Sequence, residues 1–168
     1  LAASFAVARL ARRAVLTASD ADAICSIGLA RDPVVRANLI VARASIGAPA
    51  CLARASAGQP SEPFLRAAEA RAAHARGDGL DVACRAPIEE LVRDACARET
   101  WPALDGRAVV TAFDADGHTL LPGRFLAIAF ADGTIVAVES SRAARIVLDH
   151  VPTGPMMLLD PSRTSLER

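Results

Sequence analysis

Lysine and tyrosine do not occur in this chain, and all 19 basic residues are Arg. A Schiff-base lysine, a P-loop lysine and a tyrosine general acid are therefore excluded. Aromatic side chains are scarce at 4%, and much of the 52% apolar content is Ala, which buries little area per residue. A core must then lean on Phe5, Phe64, Trp101, Phe113, Phe125, Phe130 and the Leu, Ile and Val set. No nucleophile elbow, glycine-rich phosphate cradle or zinc-type spacing occurs. No apolar run reaches bilayer-spanning length, and no signal peptide is evident. The four cysteines, Cys25, Cys51, Cys84 and Cys96, show no Cys-x-x-Cys spacing and lie in Ala-rich helical contexts. They read as reduced, buried small hydrophobes, which predicts a cytoplasmic location.

Charge is balanced overall but not along the chain. Residues 1–76 hold ten Arg against five acids, a balance of +5, and residues 77–168 hold nine Arg against fourteen, a balance of −5. Such asymmetry suits either an anionic partner for the first half or two halves that attract each other.

The first hundred residues carry helical punctuation. Apolar spacing predicts a helix over 4–16, and Thr17 to Asp20 offers caps for a second, running to about Ala30. Asp32-Pro33 opens a third, with Val35, Leu39, Ala42 and Ile46 as its stripe and Gly47 as its end. Short helical segments follow over 50–57 and 61–76, the latter with Glu62 and Arg66 at i,i+4 spacing. The helix from Pro87 to Arg98 is the best specified, through Ile88, Leu91, Val92, Ala95 and Cys96.

From Gly106 to Asp160 the pattern becomes strand-like, with short β-prone runs between Asp-Gly and Pro-Gly turns. The expected fold is α+β: a helical region over 1–100 packed on a small antiparallel sheet over 106–160, sharing one core. The runs 107–113 and 125–130 are apolar on both prospective faces, so both faces need cover. Helices can supply one cover; the other calls for more chain, a second subunit or a ligand.

Asp114, Asp116 and His118 share one turn, and Asp149-His150 follows later. Carboxylates and imidazoles in such a group could hold a divalent cation or perform acid–base chemistry. The same residues equally suit a solvated hairpin turn, and the oxygen donors that would complete a calcium loop do not follow. His74, near a helix end, suits the last carbonyls there. Two stretches resemble known families. ICSIGLARDPVVRANL, from Ile24 to Leu39, resembles the helix-turn-helix of winged-helix repressors, matching at Gly28, Arg31, Pro33, Val34 and Ala37. That resemblance implies DNA contacts from Arg31, Arg36 and Arg43. DGTIVAVESSRAAR, from Asp132 to Arg145, looks like the opening hairpin and helix of PAS sensor domains, which implies sensing.

The sequence therefore predicts a non-enzymatic regulatory, sensor or partner-binding module, homodimeric through its sheet half, taking a small-molecule or protein partner and no cofactor. Its alternatives are a DNA-binding regulator using residues 20–46 and a small metal-assisted or acid–base enzyme. That enzyme would use Asp114, Asp116, His118 and His150.

Overall fold

A computed structural model describes residues 2–27, 31–47, 62–78, 80, 84–85 and 89–159. Five helices come first among them: α1 (Ala2–Arg12), α2 (Ala18–Ser26), α3 (Pro33–Ile46), α4 (Pro63–Arg76) and α5 (Glu90–Ala97). Five strands follow: β1 (Gly106–Thr111), β2 (Phe125–Phe130), β3 (Ile135–Glu139), β4 (Arg145–Val151) and β5 (Met156–Leu159). The fold is α+β, as its composition and punctuation predict.

Helix ends follow local chemistry. Thr17 and Asp20 form a reciprocal capping box at the start of α2. The Asp32 carboxylate accepts from the amides of Val34 and Val35, both at 2.9 Å, and Pro33 occupies the first turn of α3. Gly47 and Gly77 end α3 and α4 in the left-handed conformation. Helix α1 stops at Arg12, short of the expected residue 16, and Ala14 takes a positive φ. The expected helix over 50–57 and residues Pro87 and Ile88 lie outside the described residues.

Strands β3, β2 and β5 form one antiparallel sheet in that order, while β1 and β4 form a separate antiparallel ribbon. Along β2, Ala127 and Ala129 pack with Ile135 into the helical core beside Val41, Phe64 and Leu91. Ile128 and Phe130 point to the opposite face and pack with Val136 against Ala108, Val110, Ile146 and Val151 of the two ribbon strands. The three-stranded sheet is thus a middle layer, with helices on one side and the ribbon on the other.

That layering answers the question of the second cover. It is more of the same chain, and β2 and the start of β3 are apolar and buried on both sides for that reason. Strand β1 alternates between buried and exposed positions instead, correcting the expectation for 107–113. Phe113 and Phe125, expected in the core, are 49% and 62% exposed, whereas Phe64 and Phe130 are buried.

One edge of the middle sheet is sealed by a side chain. Asn38, fully buried on α3, accepts from the amide of Ile135 at 2.8 Å and donates to its carbonyl at 2.9 Å. A single carboxamide so replaces a neighbouring strand at β3, leaving neither backbone group of Ile135 unmet.

The cysteines among the described residues are not reduced. Cys84 and Cys96 form a disulfide that ties residue 84 to α5, and Cys25 is also disulfide-bonded. Small-hydrophobe logic predicts burial but does not decide oxidation state, and the pairing removes the basis for the cytoplasmic expectation. No helix among the described residues is long and apolar enough to cross a membrane.

Candidate functional site

The polar groups divide into those the fold consumes and those it leaves facing outward. The largest consumed set joins the basic first half to the acidic second half. Arg12 on α1 contacts Asp132 in the β2–β3 turn at 2.6 Å, donates to the Pro102 carbonyl, and lies 4.5 Å from the centre of the Trp101 ring. Asp132 also accepts from the Thr134 hydroxyl at 2.6 Å and amide at 3.0 Å. Arg71 on α4, only 2% exposed, pairs with Asp94 on α5 at 3.0 Å and donates to the carbonyls of Ala131, Arg98 and Thr100. Arg66 meets Glu89 in the same basic-to-acidic sense. The charge asymmetry is accordingly an attraction between halves. Burial lowers the pKa of Arg12 and Arg71, while Asp132 raises that of Arg12 and Asp94, ahead of Asp132, raises that of Arg71.

These groups escape a reading of the sequence by periodicity, since Arg is normally assigned to a solvated face. The available signal is that Arg71 stands among Ala67, Ala68, Ala70, Ala72 and Ala73 on α4. A helix lined with alanine leaves room for one long side chain to run inward along it.

The Asp/His turn is also consumed locally. Asp116 accepts from the Thr119 hydroxyl at 2.6 Å and from the amides of Thr119 and His118 at 2.9 and 2.8 Å. These bonds, the Thr119 hydroxyl first, hold its carboxyl below the ordinary aspartate range. Asp114 accepts from the Ala115 amide. His150 does not join them. The turn lies beyond the Thr111–Arg145 end of the ribbon, whereas His150, with positive φ, lies at the irregular Gly106–Arg107 end. Five residues of strand, about 17 Å, separate His150 from Arg145. No group of three or more metal-ligating residues occurs among the described residues.

The helix-turn-helix reading meets a buried helix. None of the residues of α3 is exposed, and Val34, Ala37, Asn38, Ile40, Val41 and Ala42 are deeply buried against neighbouring helices. A recognition helix must present a free face to the major groove. Arg43 instead donates to the carbonyls of Ile24, Cys25 and Ile27, closing the C-terminal end of α2. Arg31 is exposed ahead of the helix, Arg36 is half-buried on it, and Gly28 lies outside the described residues. The PAS-like stretch departs after its hairpin. Residues 141–144 form a turn that leads directly into β4, where the resemblance implies a helix.

What faces outward is the far side of the ribbon. Register pairs Arg107 with Asp149, Val109 with Val147 and Thr111 with Arg145 on that face. Phe113, bridged to Leu120, extends the row by the two-residue period of the strand. Val109 and Val147 are each 42% exposed, Phe113 49% and Leu120 48%. The exposed Arg107–Asp149 pair, at 3.2 Å, closes one end of this row, and the Thr111–Arg145 pair falls within it, between Val109–Val147 and Phe113–Leu120. Comparison with known proteins finds no matching family model, no similar curated protein and no similar solved structure.

Proposed function

We propose that this chain is a non-enzymatic regulatory or partner-binding module that self-associates through the outer face of its β1–β4 ribbon. The observation that carries this reading is the row Val109, Val147, Phe113 and Leu120, aligned by register on one face and exposed. A twofold axis through the Val109–Val147 pair would set Arg145 of one copy against Asp149 of the other, twice by symmetry. Of the groups an enzyme reading would use, the carboxylates of Asp114 and Asp116 are engaged within their own turn, and His150 lies at the other end of the ribbon from it.

The surface is modest. A two-stranded ribbon of this length spans roughly 20 by 10 Å, below the ~800 Å² that a standard interface buries on each partner. Association is therefore expected to be weak and transient. Sedimentation velocity across a concentration series tests it. A monomer–dimer equilibrium that Val109→Arg abolishes is the expected result; a monomer up to about 1 mM refutes the reading. The disulfides favour an oxidising compartment as its place of work.

A further inference from the structure

Three arginines gather at the end of helix α1, Arg9 and Arg12 in its last turn and Arg13 immediately after it. Asp132 supplies compensating charge to Arg12 and, at longer range, to Arg9, and it is already engaged by Arg12 and Thr134. Arg13 is exposed and Arg9 half-buried, its guanidinium carbon 5.8 Å from the centre of the Phe5 ring. The Nη1 of Arg9 is shut off from solvent and has no hydrogen-bond partner among the described residues. Folded proteins rarely leave a charged donor in that state, because its lost hydration is then uncompensated. Favourable placement of cations at a helix C-terminus accounts for the arginines being there, but not for a desolvated and unbonded Nη1.

We propose that Arg9 and Arg13 form a binding site for a small oxyanion at the seam between α1 and the β2–β3 turn. Arg13 directly follows α1, and its amide donates to the Arg9 carbonyl at 3.1 Å, which sets it one turn beyond Arg9 on the same side, open to solvent as the point of entry. Binding draws the Arg9 guanidinium off Phe5 toward Arg13, replacing an unbonded donor with charge-assisted, two-pronged hydrogen bonds to the anion. Arg12 stays out, held by Asp132, Pro102 and Trp101. Desolvation, followed by the nearby charge of Arg13, lowers the Arg9 pKa, Asp132 opposes them, and an anion there would further favour the charged guanidinium. Phosphate or sulfate and the carboxylate of a peptide share this chemistry. The site is independent of the ribbon face, so it stands or falls apart from self-association.

The experiment is a thermal-shift titration of the full chain with inorganic phosphate, sulfate or acetate, each against sodium chloride at matched ionic strength. Wild type is compared with Arg9→Gln, Arg13→Gln and, as a control, Arg142→Gln in the exposed 141–144 turn. A saturable rise in Tm beyond that with chloride is expected in wild type and Arg142→Gln. Its apparent Kd should weaken about tenfold in Arg9→Gln and Arg13→Gln, as loss of a charge-assisted bond implies. Saturation by phosphate and sulfate alone assigns a tetrahedral anion; saturation by acetate as well assigns a carboxylate-tolerant site. If Arg9→Gln does not fold, exposed Arg13→Gln carries the comparison. A response equal to that of chloride, or one unchanged in Arg13→Gln, overturns the proposal.

Discussion

Replacing Gly133 with Ala tests whether the β2–β3 turn is as deeply seated as the structure describes. Gly133 has φ +85°, and a Cβ there would lie 2.6 Å from both the backbone nitrogen and Cα of Ala68 and 2.9 Å from its Cβ. Two costs combine. An L side chain in the left-handed region costs about 1–2 kcal/mol. The overlap is with helix backbone, so no side-chain rotation relieves it; the turn must move from α4, which costs about 1–3 kcal/mol by analogy with an overpacked core. Together they predict a loss of about 2–5 kcal/mol, or roughly 5–15 °C in Tm for a domain of this size. Gly117 provides the control within the same chain. It too follows an Asp and has φ +72°, but nothing lies within 4 Å of its prospective Cβ. Gly117→Ala should therefore lose only the conformational part, about 1–2 kcal/mol. Both variants can be followed by circular dichroism in urea and on heating. Because the clash includes Ala68 Cα and nitrogen, Ala68→Gly should not restore Gly133→Ala. Melting of the two alanine variants within about 2 °C of each other would refute the close approach of turn and helix.

Asp132→Asn keeps an acceptor for Thr134 but strands the Arg12 guanidinium without its partner charge. A loss of about 3–5 kcal/mol is expected by chemical denaturation, and a change within about 1 kcal/mol would mean that Arg12 reaches solvent. The Asp116 turn should respond to acid. Its depressed pKa means that its contribution is present above the unfolded aspartate value and is lost as pH falls through the lower folded value. The His118 and Thr119 amide resonances should therefore titrate together below the ordinary aspartate range; midpoints within that range would contradict the hydrogen bonding at Asp116.

Local chemistry in the sequence determined the ends of α2, α3 and α4. Thr17 reaches Asp20, Asp32 reaches Val34 and Val35, and Gly47 and Gly77 take positive φ. Each cap is complete within a few residues, so tertiary packing has little opportunity to change it. Strand–turn punctuation after Gly106 was legible for the same reason. Tertiary structure decided everything that depends on contacts between distant residues. The two Asp-Gly turns have closely similar local sequences, yet one is solvated and the other is pressed against α4 with its carboxylate on Arg12, 120 positions away. Asn38 reads as one polar residue in a helix until Ile135, 97 positions on, is placed beside it. Phe113 and Phe125 are as apolar as Phe64 and Phe130, and only the partition into a three-stranded sheet and a ribbon leaves the first two outside. Side-chain type determines what a residue can bury or bind; the distant segment that arrives beside it decides which of these it does.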